Sequence, residues 1–173
     1  PLFSCGRDSH AGVIPMPGDR VDGAGATIAL RLATRVAGLS GWRRRGLAVL
    51  CGALAAAALP PISALPLLIP AFVGLLWLID SDDRRAAFAA GWWFGFGHFA
   101  VALHWIAFAL LVDAEQFAWM IPFAVFGLAA GFALYPGLAA LATVASGRQG
   151  IGRVLILAAA WTVSVWLRGS LFT

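Results

Sequence analysis

Two histidines are the ionisable side chains inside one long, otherwise uncharged stretch of this sequence. His98 and His104 lie in 86–112, a run of 27 residues without Asp, Glu, Lys or Arg. Ionisable groups at membrane depth are costly, which makes both of them candidates for function. Six residues separate them, or about 120° around a helix, so they cannot bind one metal ion as an i, i+4 pair does. We interpret His98 as a neutral side chain bonded to a neighbouring helix, with a functional role as the alternative.

Arg168 is the most informative single charge, because it follows Trp161 and Trp166 near the end of the last apolar run. A guanidinium can bind a lipid phosphate through two parallel hydrogen bonds. The alternative is an interfacial arginine whose stem lies along apolar surface. Trp105 also has two interpretations, as a membrane-interface anchor or as a substrate contact.

The sequence contains no pattern that assigns a catalytic residue, a metal site or a cofactor. Asp113 and Glu115 form a carboxylate pair in a short loop, where solvated acids are more typical than acid–base catalysts. Two cysteines are too few for a disulfide framework, and Cys51 is expected to be a small core residue. Ser/His/Asp arrangements, phosphate-binding glycine loops and Cys/His metal spacings do not occur.

Composition predicts a membrane protein. Hydrophobic residues make up 61% of the chain and charged residues 12%, about half the charged share of soluble domains. The net charge is +4 and all twelve basic residues are arginine. A basic chain can bind nucleic acid, but these arginines lie at the ends of apolar runs, so we expect no nucleic-acid partner and instead a lipid-facing protein.

The apolar runs predict an all-α membrane protein with a bundle of about five transmembrane helices in 42–173. As a helix, 86–112 would be roughly 40 Å long, enough to cross a hydrocarbon core of about 30 Å. A single segment in lipid must be a helix, because lipid offers no partners for unpaired backbone N–H and C=O groups. Segment 1–25 is expected to be disordered. Segment 26–41 is expected to be an amphipathic helix on the membrane surface, or a solvated helix without a role. The predicted spans are 46–59, 62–79, 86–112, 117–145 and 154–169.

The arginines predict the orientation of this bundle. Because cytoplasmic loops are enriched in basic residues, the N-terminus is predicted to be cytoplasmic. Asp113, Glu115 and Arg168 then fall on the outer side. The basic residues assigned to the inner side are Arg43, Arg44, Arg45, Arg84, Arg85, Arg148 and Arg153.

One stripe of the third run predicts close helix packing. Small residues let a neighbouring helix approach, and Pro136 is expected to kink the fourth helix, where a neighbour or a water must satisfy the freed carbonyl. The stripe at about 100° per residue consists of Gly91, Gly95, His98, Ala102 and Trp105.

The order of these elements resembles the N-terminal membrane region of apolipoprotein N-acyltransferase. The likeness covers roughly 45–173, and the final block is its most specific part. Val165 stands where the family usually has Glu, and Ser170 where it usually has an aromatic residue. The matching blocks are Leu59-Pro60-Pro61 with Leu65-Pro66, the segment 91–97 followed by His104-Trp105-Ile106, Tyr135-Pro136, and Trp161 with 166–169 and 171–173.

The resemblance implies a bacterial inner-membrane, multi-pass enzyme of lipoprotein maturation. The family transfers an acyl chain from a phospholipid to the diacylglyceryl-cysteine of an apolipoprotein, through a thioester on a nitrilase-like domain with a Glu-Lys-Cys triad. That domain is not in these residues, so no catalytic residue is assigned. What remains for this portion is an acyl-chain groove between helices and an outer rim that holds lipid headgroups, for which Trp105, Trp166 and Arg168 are the candidates.

Other classes remain as alternatives. A non-catalytic polytopic scaffold or partner subunit would need no chemistry. A transporter would show repeated, interrupted helices, and no internal repeat is evident in the sequence. Because the chain starts at Pro1 and stops at Thr173 after an apolar run, we expect it to be a piece of a longer polypeptide.

Overall fold

A computed structural model describes residues 27–28, 30–36, 38–58, 64–80, 83–106 and 118–171. Contacts divide the chain into two units, Pro1–Thr34 and Arg35–Thr173. In the described part of the first unit the residues are helical, and the Thr34 hydroxyl donates to the Arg31 carbonyl at 3.0 Å. Location of 26–41 on a membrane surface stays a prediction, and the predicted disordered segment 1–25 lies outside the described residues.

The described part of the second unit is helical and contains no strand. Short 3₁₀ turns precede two of its helices, at Leu65–Leu67 and Ala118–Met120. The all-α class is thus confirmed, while the predicted loop with Asp113 and Glu115 lies outside the described residues. The helices are α1 Gly41–Ala57, α2 Leu68–Leu78, α3 Arg84–Ala102, α4 Ile121–Phe132, α5 Leu134–Ala145 and α6 Ile151–Leu171.

Among the residues that the structure describes, two stretches are long and apolar enough to cross a membrane. They are Ile121–Ala145, which combines α4 and α5, and Ile151–Leu171. The first is interrupted at Ala133, one turn before Pro136. Proline has no backbone N–H, so the i→i−4 bond that would begin at residue 136 is missing. The second is mostly uncovered by protein, as expected of a helix with an apolar, lipid-facing surface.

Helices α1 and α3 touch backbone to backbone. A Cβ added at Gly52 would overlap the Phe94 carbonyl, and one added at Gly97 would overlap the backbone of Val49. Only glycine permits so close an approach, because any side chain here would meet main-chain atoms that cannot rotate away. This contact was not predictable from the pattern of either helix alone.

Helices α3 and α5 meet along the predicted small-residue stripe. A Cβ on Gly91 would lie 2.6 Å from the Pro136 carbonyl oxygen, and one on Gly95 would lie 2.8 Å from the Pro136 ring. On α5, Gly137 faces the ring of Phe88, and a Cβ added at Gly137 would lie 2.9 Å from the Phe88 Cε2 atom. The prediction that Gly91 and Gly95 form a helix-packing face is confirmed.

Aromatic side chains close the core between α2, α3 and α6. The Trp161 ring lies edge-on to Phe72, with centroids 5.0 Å apart, and to Phe94, with centroids 5.8 Å apart. Phe94 is fully buried. Edge-to-face pairs at these distances add roughly 0.5–1.5 kcal/mol each to the burial of the rings. Trp161 therefore fixes α6 against the rest of the bundle.

An ion pair joins the other end of α6 to α2. The Arg153 guanidinium binds the Asp80 carboxylate through Nη1, with the Arg153 side chain 7% exposed and the Asp80 side chain 67% exposed. Arg153 precedes the predicted span 154–169, and in the structure it lies within the first turn of α6 and is buried. The turn before it runs through Gly147 and Gly150, both with positive φ, which glycine adopts without strain.

Candidate functional site

Arg168 lies in the last turn of α6, over two aromatic rings. Its Cζ atom is 5.4 Å from the centroid of the Phe99 ring and 5.8 Å from that of Phe132. A guanidinium at this distance is attracted by the ring quadrupoles, by about 0.5–1 kcal/mol when exposed and about 2 when desolvated. The two rings come from α3 and α4, so the charge is held where three helices meet.

A small cleft adjoins the guanidinium. With a volume of about 20 Å³ it is no larger than one small chemical group. The Ser164 hydroxyl faces the α5 side of this cleft, donating to the Ala160 carbonyl at 2.8 Å and lying 3.4 Å from the Tyr135 carbonyl. Besides Arg168, the cleft is lined by Phe99, Tyr135, Pro136, Trp161, Ser164 and Val165.

A larger apolar groove runs along α4 and α5. Its volume is about 450 Å³, within the usual range for small-molecule sites. Gly127 and Gly131 leave its floor open, because a Cβ added at either would meet nothing within 4 Å. Tyr135 lines both this groove and the cleft beside Arg168. The remaining lining residues are Leu128, Phe132, Leu134 and Leu138.

The cleft and the groove together suit an amphiphilic ligand. A fixed cation stands at one end, and an apolar groove without side chains on its floor begins next to it. Polar groups that fix orientation beside a mostly apolar surface are the usual composition of a ligand site. The arrangement can bind an anionic headgroup and an alkyl chain of the same molecule.

The two tryptophans predicted as site residues are exposed. Trp105 is 59% exposed in the short helical turn 104–106 that follows α3, and Trp166 is 68% exposed on α6. Among the described residues, the ring and cation contacts join Arg168 to Phe99 and Phe132 and include neither tryptophan. Their role as substrate contacts stays a prediction.

The histidines lie apart and have different surroundings. His98 interacts with the backbone of Gly52 on α1, and its ring centroid is 6.3 Å from that of Trp161. Its Nδ1 is buried without a hydrogen-bond partner among the described residues. His104 Nδ1 lies 2.7 Å from the carbonyl of Val101 in the preceding turn. In the described part of the chain no three His, Cys, Asp or Glu side chains are grouped as metal ligands.

The comparison with known families decides the ancestry of this chain. The apolipoprotein N-acyltransferase N-terminal domain matches residues 51–173. The chain belongs to that family. The match includes α2 to α6, and with them Arg168, both rings beneath it and the groove.

Curated relatives agree with this assignment. The apolipoprotein N-acyltransferases of Allorhizobium ampelinum and Brucella suis are each 44% identical to the chain, over 83% of the chain and 29% of their own length. That of Rhodopseudomonas palustris is also 44% identical, over 83% of the chain and 28% of its own length. The chain thus spans less than a third of these relatives. No solved structure matches it.

Within this N-acyltransferase domain, Arg168 was predictable from the sequence, and the residues around it were not. Phe99 and Phe132 carry no local signal, since Phe is common throughout the apolar runs. The groove did have a sequence signal. Gly127 and Gly131 are spaced i, i+4, which leaves one helix face without side chains at these positions. Tyr135 appeared in the sequence analysis only as part of a matching block.

Proposed function

We propose that this chain is the membrane part of an apolipoprotein N-acyltransferase. The enzyme would transfer an acyl chain from a phospholipid to the N-terminal diacylglyceryl-cysteine of lipoproteins in the bacterial inner membrane. The match of the N-terminal domain family to residues 51–173 carries this proposal. Nucleophilic chemistry would lie in the part of the longer relatives that this chain does not span, and the present residues would bind lipid.

Arg168 would bind the phosphate of the phospholipid donor, and the groove on α4 and α5 would take an acyl chain. The cation–π contacts hold the guanidinium beside the groove, and a bidentate guanidinium–phosphate pair supplies orientation as well as affinity. Trp105 and Trp166 would anchor the same end at the membrane interface, where tryptophan is enriched. A diacylglyceryl apolipoprotein would be the acceptor.

Arg168→Ala is expected to weaken use of the phospholipid while leaving the fold intact. A suitable host is a chimera in which this chain replaces the matching part of the Rhodopseudomonas palustris relative. Loss of a charge-assisted hydrogen bond costs roughly 1.5–3 kcal/mol, so kcat/KM for the phospholipid should fall at least about tenfold. The kcat/KM of Arg168→Lys should lie between those of the parent and Arg168→Ala, because lysine keeps the charge but cannot form two parallel hydrogen bonds to the phosphate.

Arg148→Ala is the matched control, since Arg148 is an exposed arginine in the turn between α5 and α6. It should leave acyl transfer unchanged. Equal activity of the Arg168→Ala chimera and its parent would remove Arg168 from the site. A folded chimera without any acyl transfer would favour the scaffold alternative.

We also propose five membrane crossings with a cytoplasmic N-terminus. The arginines near the start of α1 and α3 support this orientation through the positive-inside rule. A reporter inserted in the turn 80–85 is expected to be cytoplasmic, and one placed after residue 171 is expected to be periplasmic. Periplasmic activity of the reporter in turn 80–85 would contradict the orientation.

A further inference from the structure

Tyr135 is the residue that joins the cleft beside Arg168 to the apolar groove. It lies in the first turn of α5 and lines both spaces. Its residue is half-buried, so part of it stays accessible from the groove. The sequence holds a single tyrosine. The cationic part and the apolar part of the candidate site therefore meet at one phenol side chain.

The hydroxyl of this tyrosine has hydrogen-bonding capacity to spare. In the described part of the chain the Tyr135 side chain makes no hydrogen bond, and only the Tyr135 carbonyl faces a side chain, the Ser164 hydroxyl at 3.4 Å. Its neighbours in the groove, Leu134 and Leu138, have no polar side-chain atoms. A phenol O–H away from water usually has a partner, because an unpaired hydroxyl in apolar surroundings costs free energy. A bound molecule can supply that partner.

Three kinds of surface follow one another along α4 and α5. The Arg168 guanidinium lies over the Phe132 ring, Tyr135 comes three residues later, and Leu138 comes three residues after that. With a rise of about 1.5 Å per residue, each step is roughly 4–5 Å. A cation, a hydroxyl and an alkyl surface therefore stand in line. A glycerophospholipid presents matching groups in the same order: the phosphate, the ester carbonyl beyond the glycerol, and the acyl chain.

We propose that the Tyr135 hydroxyl donates a hydrogen bond to an ester carbonyl of the bound phospholipid. This assignment rests on the proposed function, in which Arg168 binds the phosphate and the groove takes an acyl chain. The carbonyl oxygen accepts the O–H of Tyr135, and the chain beyond it lies against Leu134 and Leu138. A chain attached through an ether has no carbonyl oxygen at this position.

Tyr135 is thus a specificity-determining residue that favours ester-linked lipids over ether-linked ones. A site built to hydrogen-bond one group of a substrate disfavours the analogue without that group, because the protein group is then left unpaired. Only an ester-linked chain can be given up as an acyl group, so this preference excludes lipids that could occupy the site without reacting. Arg168 cannot make the same distinction, because both kinds of lipid carry the phosphate.

Lipid titration of the purified chain in detergent tests the proposal, with bound molecules counted by native mass spectrometry. The probes are phosphatidylglycerol with two ester-linked chains and its analogue with two ether-linked chains of equal length. We expect the parent to bind the diester about fivefold more tightly than the diether, the effect of one neutral hydrogen bond. Tyr135→Phe removes only the hydroxyl, so it should bind both lipids with the affinity that the parent has for the diether. A purely structural role of the hydroxyl would instead weaken both lipids and keep their ratio.

Thr162→Val is the matched control, because it removes an exposed hydroxyl of α6 that lines neither the cleft nor the groove. It should keep the parent's preference for the diester. Equal binding of the two lipids by the parent, a preference that persists in Tyr135→Phe, or one that is lost in Thr162→Val would overturn the proposal.

Arg168→Ala separates this proposal from the phosphate site of the proposed function. It should weaken both lipids by the same factor and keep the preference for the diester. Unchanged affinities in Arg168→Ala, together with a preference that Tyr135→Phe abolishes, would contradict the phosphate site and support the Tyr135 hydrogen bond. Failure of the parent to bind either lipid would overturn both.

Discussion

Gly52→Ala is expected to separate α1 from α3 and to unfold the bundle at a markedly lower temperature than the parent. An added methyl group would overlap the Phe94 carbonyl oxygen and lie 2.9 Å from the His98 amide nitrogen. Both are main-chain atoms, so relief requires movement of a whole helix. Overpacking of a core costs roughly 1–3 kcal/mol and occasionally more, and we expect about 3 kcal/mol here. Thermal unfolding of the purified chain in detergent measures the effect.

Gly46→Ala on the same helix is the control for this substitution. A Cβ at Gly46 would meet nothing within 4 Å, and alanine is favoured over glycine in a helix by about 1 kcal/mol, so this variant should be as stable as the parent or more so. Gly97→Ala should be as damaging as Gly52→Ala, because it meets the backbone of Val49 across the same crossing. A Gly52→Ala variant with the parent's unfolding temperature would contradict the backbone contact.

The helix class and one packing face were predictable, while the closest helix crossing was not. Gly91 and Gly95 lie four residues apart, so their stripe is visible in one sequence. The contact of Gly52 with α3 needs one glycine from each of two helices. Gly97 by itself lies away from that stripe, and periodicity within one helix cannot show which faces will meet.

Helix ends were harder to predict than helix existence. The absence of charge predicted one uninterrupted helix over 86–112, whereas α3 ends at Ala102 with a turn at Leu103, and 107–112 lies outside the described residues. No glycine or proline marks that end, so the sequence offered no stop signal. In 117–145 the expected irregularity at Pro136 does appear, as an interruption at Ala133. A proline acts through the missing N–H and ring clash, which are local effects.

In the candidate site, too, one feature was predictable from the sequence and others were not. Arg168 was identifiable because it follows Trp161 and Trp166 near the end of the last apolar run, where a guanidinium can bind a lipid phosphate. Its rings, Phe99 and Phe132, are set by the rotation of α3 and α4 in the bundle, which depends on packing against α5. The burial of Arg153 was not predictable for a related reason: its partner Asp80 is 73 positions away in the chain.

Asp80→Ala is expected to destabilise the bundle far more than Arg153→Met, although both remove the same ion pair. Without Asp80, a guanidinium with 7% exposure keeps its charge and loses its carboxylate partner. Its Nε is already buried without a hydrogen-bond partner among the described residues. Breaking a fully buried pair costs roughly 3–5 kcal/mol, and the loss here should lie at or below the lower end of that range because Asp80 is solvated. Thermal or denaturant unfolding in detergent at neutral pH measures the loss.

Arg153→Met instead removes the buried charge and keeps a side chain of similar length to fill its place. The remaining Asp80 is 67% exposed and stays hydrated, so the cost should be near zero, as for other buried pairs replaced by apolar groups. Asp83→Ala, which removes only the N-cap of α3, should cost about 1 kcal/mol. The double variant Asp80→Ala/Arg153→Met should recover most of the stability lost in Asp80→Ala, because the Asp80 and Arg153 side chains interact directly. Equal destabilisation by Asp80→Ala and Arg153→Met would show that packing of the arginine stem, and not its desolvated charge, holds α6 to α2.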